Sequence, residues 1–260
     1  MDDLELGNGA KVYVKLWLND HFSINLVTQT TVSLFVVTVT LILLAFFIGR
    51  NLKKRPSRLQ VLVEKGITAF YGIVEDTMGK HNMKYAPYIL TVFLSSVFGS
   101  LIGMTQIFRS TTADLMVVMG WALVTSALCW YEGIKNNGFL GWLKGYTEPI
   151  AVMTPMNVIS EVAQPISMAF RHFGNVTGGG VLTTLIYAAL AALTHVVFCW
   201  LPPQILSWIP PVFQIGIPAF LSIYFDLFSG FVQAFVFSLL TMVYVGSANP
   251  PPAEETAKNN

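Results

Sequence analysis

Gln164-Pro165-Ile166-Ser167-Met168-Ala169-Phe170-Arg171-His172-Phe173-Gly174-Asn175 is the stretch that decides how this chain folds. After Arg171 no other Lys or Arg occurs until Lys258, and most residues between them are apolar. The stretch therefore reads as membrane-embedded helix with Arg171 in or at the edge of the hydrocarbon. Placing an arginine at the centre of a membrane helix costs roughly 2.5–3.5 kcal/mol on insertion scales, and chains retain such charges where an ion or substrate passes. The bland alternative is a side chain that snorkels to the headgroups. Glu161 lies ten residues earlier, about 15 Å by helical rise, which is too far for that reading.

Working outward, composition agrees. The chain has 260 residues, 54% of them hydrophobic and 11% charged, against about 25% charged in a soluble domain. A soluble fold could not solvate such a surface, so a single polytopic membrane domain over 1–260 is expected. A net charge of +1 leaves no electrostatic footprint for a nucleic acid, and none is expected as a partner. Cys129 and Cys199 sit in apolar runs with no metal spacing, so neither a metal nor a cofactor is expected. The N-terminus lacks a basic region leading into an apolar core, which argues against a cleaved signal.

Residues 24–49 carry no charge and suffice for a first span. Arg50, Lys53, Lys54, Arg55 and Arg58 follow as the densest basic cluster. The positive-inside rule places that end in the cytoplasm and the N-terminus outside. Across 58–78, apolar residues recur at three-four spacing while Glu64, Lys65, Glu75 and Asp76 fill the rest. That pattern predicts an amphipathic interfacial helix. Residues 87–108 and 113–130 form a hairpin of two spans joined by a short turn, and 131–149 reads as a return loop. Segments 157–200 and 211–247 are longer than a perpendicular span requires, so a long tilted hairpin is expected. Prolines between Leu201 and Pro211 break it, and 248–260 reads as a cytoplasmic tail. The expected fold class is an all-α membrane protein with five transmembrane crossings and one amphipathic interfacial helix.

Within that last hairpin, Arg171 is 14 residues beyond Asn157 and Gln233 is 14 before Ser247, so both reach about 21 Å from the same end. Asn175 is one turn from Arg171, and Asp226 is seven residues before Gln233. A cation, two amides and a carboxylate thus converge where little else is polar. Asn175 and Gln233 could serve only as interhelical hydrogen-bond glue. A membrane carboxylate such as Asp226 is costly unless wet or paired. His172 adjoins Arg171, and the glycines 178–180 suit close helix approach. No Gly-rich phosphate loop, paired histidines or Ser-His-Asp set is visible, so the chain is not expected to hydrolyse a nucleotide by itself.

The segment 164–175 resembles the Pro-(Ile/Val)-Ser-Leu-x-x-Arg-Leu-Phe-Gly-Asn signature of subunit a of F-type ATP synthases. Gln233-Ala234-Phe235-Val236-Phe237 and Thr241-Met242-Val243-Tyr244 look like that family's final helix. The resemblance implies a stator that wraps a rotating ring of c subunits and meets the b subunits of the peripheral stalk. It places the chain in a bacterial plasma membrane, carrying protons or sodium ions. By position, Arg171 resembles the stator arginine, Asn175 and Gln233 the polar residues beside it, and Asp226 an outer half-channel group. Gly180 and Asn157 stand where many members have titratable residues, so Glu161 is expected to serve the inner half-channel. His172 replaces the usual leucine and is counted with the ion pathway. The rival readings are a self-contained secondary transporter of an anionic substrate and a non-conducting scaffold.

Overall fold

The computed structural model describes residues 12–19, 22–52, 56–105, 108–147, 151–197 and 223–251. The expected helix break at 201–211, Cys199 and most of the tail lie outside them. Helix α1 covers Gln29–Arg50, α2 Arg58–Met78, α3 Ala86–Met104, α4 Leu115–Gly145, α5 Thr154–Val197 and α6 Ser229–Ala248. Among the described residues, five helical stretches are long and apolar enough to cross a membrane, with α2 the exception. The membrane domain is all-α.

Several boundaries differ from the sequence reading. Residues 24–28 are not helical: they belong to strand β2 (Phe22–Thr28), which pairs antiparallel with β1 (Val12–Asn19). Leu16 sits opposite Ile24 and Lys15 opposite Asn25 in that register. Helix α1 starts only where Thr28 caps it, its hydroxyl accepting from the Thr31 backbone N–H. The turn between α3 and α4 runs from Thr105 to Asp114, longer than four residues, and contains a short 3-10 segment, Thr111–Ala113. Asp114 caps α4 by accepting from Met116 N–H at 3.0 Å. The expected loop over 131–145 is helix. There α4 continues past Trp130 and turns at Gly138, whose φ of 68° is a left-handed conformation that glycine adopts without strain.

Two apolar clusters hold the bundle, and α6 contributes to both. Phe70, Val74 and Met78 of α2 meet Ala86 and Ile89 of α3, Cys129 of α4, and Met242 and Val245 of α6. Val92, Val118, Ala122, Met168, Ala169 and Phe237 join α3, α4, α5 and α6. Only the C-terminal half of the amphipathic α2 packs in this way; Leu59, Leu62 and Ile67 remain exposed. Gly230 lets α6 approach α3 closely, since a Cβ there would lie 3.0 Å from the Ser100 Cβ.

Candidate functional site: the α5–α6 hairpin

Helices α5 and α6 run antiparallel, and their polar residues are brought together by that register. Asn175 Nδ2 donates to Gln233 Oε1 at 3.1 Å, and Ser229 Oγ donates to Asn175 Oδ1 at 3.2 Å. One layer further along, Met168 and Ala169 pack with Phe237. Gln233 is only 5% exposed. A buried amide of this kind stabilises the pair chiefly because leaving it unbonded would cost about 1–3 kcal/mol. Ser229 is a member of this chain of bonds that the sequence reading passed over. Its spacing of four residues before Gln233 was the available signal.

Arg171 is exposed and, among the described residues, forms no ion pair; the ion pairs there involve Glu75 and Glu132. The α5 face that packs inward consists of Pro165, Met168, Ala169 and His172, at three-four spacing. Arg171 falls off that stripe, which is why its guanidinium stays outside the bundle.

Two cavities flank it along α5. One, of about 600 Å³, is lined by Asn157, Ser160, Glu161 and Gln164 of α5, with Asn137 of α4 and Tyr244 and Ser247 of α6. The other, of about 420 Å³, is lined by Gly174, Asn175, Gly178, Gly179 and Leu182 of α5, with Tyr224, Phe228, Ser229 and Val232 opposite. They share no lining residue, and Arg171 lines neither. In the first cavity Glu161 Oε1 accepts from Trp130 Nε1 at 2.5 Å, and Asn157 Nδ2 donates to the Tyr146 carbonyl at 2.9 Å. In the second, Gly178 and Gly179 keep one wall free of side chains. A Cβ at Gly180 would meet nothing within 4 Å.

Asp226 lies in a π-helical turn, Ile223–Phe228, immediately before α6. Such turns are rare and concentrate at functional sites. His172 is placed differently from the sequence expectation. It is fully buried, binds Ser96 Oγ of α3 through Nε2 at 3.1 Å, and lines neither cavity. Trp121 and Phe237 meet its ring edge-on, with centroids 6.4 and 5.4 Å away.

The arrangement defines a class: a polytopic helical membrane protein with an exposed cation flanked along one helix by two separate cavities. The family described as ATP synthase A chain matches residues 31–246. The chain is similar to the sodium ion specific ATP synthase subunit a of Propionigenium modestum, 33% identical in an alignment of 238 positions that covers 84% of this chain and 73% of that one. It is 30% identical over 235 residues to ATP synthase subunit a of Desulforamulus reducens, covering 90% of this chain and 83% of the relative. The corresponding protein of Anoxybacillus flavithermus is 29% identical over 229 residues, 85% of this chain and 88% of that one. The chain belongs to this family: it is an ion-channel subunit of the membrane sector of an F-type ATP synthase. It therefore spans the plasma membrane several times and works in a complex with other synthase subunits.

Proposed function

We propose that the two cavities are offset half-channels and that Arg171 is the stator cation between them. The observation that carries this reading is the exposed guanidinium, without an ion pair among the described residues, flanked along α5 by two cavities that share no residue. A continuous pore would short-circuit the membrane. Two closed-ended paths force the ion to travel between them on a moving carrier. That carrier is a ring of c subunits, each bearing a carboxylate that holds the proton or sodium ion in the lipid. As a loaded carboxylate reaches Arg171, the opposite charge favours its ionised form and the ion leaves. Arg171 keeps its proton throughout and also repels a cation leaking directly from one cavity to the other. On this reading ATP chemistry takes place in a separate soluble headpiece.

The basic cluster from Arg50 to Arg58 supports a cytoplasmic placement for the start of α2, with the N-terminus outside and the C-terminus inside. The Glu161 cavity then opens to the cytoplasm and the Asn175 cavity to the outside, with Asp226 on the outer path. Gln233 and Asn175 close the inner end of the outer path beside Arg171. The b subunits of the peripheral stalk hold the chain stationary against the ring.

Thiol labelling tests this layout. In a background lacking Cys129 and Cys199, cysteine at position 161 reacts with a membrane-impermeant reagent from the cytoplasmic face only. Cysteine at position 226 reacts from the outer face only. Reaction of both from one face refutes the two-path arrangement.

A further inference from the structure

We infer that His172 is the positioning residue that sets the facing of Arg171, through its bond to Ser96 of α3; the inference rests on the stator role proposed for Arg171. Little of this part of α5 is buried. Its inward stripe is Pro165, Met168, Ala169 and His172, and no residue from Phe173 to Leu193 is buried. His172 is thus the last buried residue of that stripe before α5 runs on along the outer cavity, where Asn175 alone is tied across to Gln233 and Ser229 of α6. Its immediate neighbour in the chain is the arginine whose direction matters.

The anchor is specific. One imidazole on α5 is held by three other helices at once: Ser96 on α3 by a hydrogen bond of 3.1 Å, Trp121 on α4 and Phe237 on α6 by edge-to-face contacts. The Ser96 hydroxyl is itself buried, 1% exposed, so the bond has no water to compete with it. Neighbouring helical residues project about 100° apart. Locking the ring inward therefore fixes where the guanidinium projects, toward the face left open for the carrier. A small rotation of α5 displaces the charge, and misplacement of a reacting group by about 1 Å can cost about a hundredfold in rate. A leucine would fill the same space but leave the Ser96 hydroxyl unbonded and the helix rotation set by packing alone. The hydrogen bond supplies the directional part of the constraint.

The test uses membrane vesicles holding the assembled synthase, with complex content measured in each strain. His172→Leu, Ser96→Ala, the double variant and His172→Gln are compared for ATP-driven proton and sodium uptake. Passive leak is measured after the soluble headpiece is stripped. Ser96→Ala and His172→Leu are each expected to lower uptake about 3- to 10-fold, as loss of one buried hydrogen bond predicts, and to raise the leak at unchanged complex content. The double variant should match the singles, because both remove one bond, and His172→Gln, whose amide can still reach Ser96, should restore most of the uptake. Wild-type uptake and leak in Ser96→Ala, additive losses in the double variant, or no rescue by glutamine would each overturn the inference. Arg171→Ala in the same vesicles separates the two levels. If that variant still pumps, the stator role falls; if it is inactive while the His172 and Ser96 variants behave as wild type, only the positioning role falls.

Discussion

Glu132 and Arg171 are charged side chains on two helices of one bundle, and they are treated in opposite ways. Glu132 on α4 is 1% exposed, accepts from Lys84 Nζ at 2.7 Å and from the Tyr85 hydroxyl, and has Lys135 Nζ at 3.9 Å. Around it Asn82, Asn136, His81 and Asn249 form a connected polar group that ties the segment after α2 to α4 and to the end of α6. Every part of that region is satisfied internally, as a buried carboxylate requires. Arg171 has no ion pair among the described residues and is exposed. The carboxylate that ties helices together is buried against its partners, whereas the proposed stator cation is left open, as a group acting on a passing carrier would have to be. The comparison also divides the molecule mechanically. The Glu132 end is fastened by many bonds, whereas α5 beyond His172 is packed by few.

The largest effect that could break this contrast is at Arg171. Arg171→Ala should abolish ATP-driven ion uptake and ion-driven ATP synthesis while complex content is unchanged. Arg171→Lys should also fail, because an ammonium presents a point charge, not a planar fork. Coupled synthesis at the wild-type rate in either strain contradicts the assignment.

A smaller effect is expected at Asp226. On the proposed layout Gly180 contributes no titratable group, and Asp226 is the carboxylate assigned to attract cations on the outer path. Asp226→Asn should slow ion flux without uncoupling it, Asp226→Glu should retain much of the activity, and Gly180→Glu should partly rescue Asp226→Asn. Uptake by inverted vesicles from these strains decides the matter, and wild-type pumping by Asp226→Asn would place the outer path elsewhere.

Glu132 should affect stability, not coupling. Glu132→Ala leaves Tyr85 and Lys84 without their shared acceptor. Lys84 is 45% exposed and can turn to water, so the loss should be about 1–3 kcal/mol. Thermal dissociation of the complex should begin at lower temperature, while the turnover of complexes that remain assembled stays near wild type. A selective loss of coupling would erase the distinction between the two charges.

The smallest effect is expected at Gly230. An alanine there must push Ser100 aside, an overpacking cost offset in part by better helix propensity, leaving a net destabilisation of about 1 kcal/mol. The same thermal measurement reads it, and an unchanged or raised midpoint would mean that the α3–α6 approach has slack.

Much of this could be read before any coordinates. The absence of Lys and Arg between Arg171 and Lys258 and the long apolar runs require membrane helices, because solvent cannot accommodate that surface. The Arg171–Asn175 and Asp226–Gln233 spacings already grouped the polar residues of the last hairpin. The extension of α4 through 131–145 was not legible, since Asn136-Asn137-Gly138 reads locally as a turn and only the positive φ at Gly138 lets the helix resume. The strand start at residues 24–28 was hidden for a related reason: uncharged β-branched residues suit a strand and a span equally, and periodicity does not separate them.

His172 marks the limit of reading from sequence. Its adjacency to Arg171 suggested a shared role on the ion path, but residues next to each other on a helix face different ways. Spacing along one chain determined which residues are polar, which helices cross the membrane, and that Arg171 needs a reason to be there. Which neighbour covers each face was decided only by packing. Ser96, Trp121 and Phe237 are far from position 172 in the chain and come from three different helices, and sequence spacing carries no information about such contacts. The same holds for the two cavities, which are spaces left between helices and belong to no single segment.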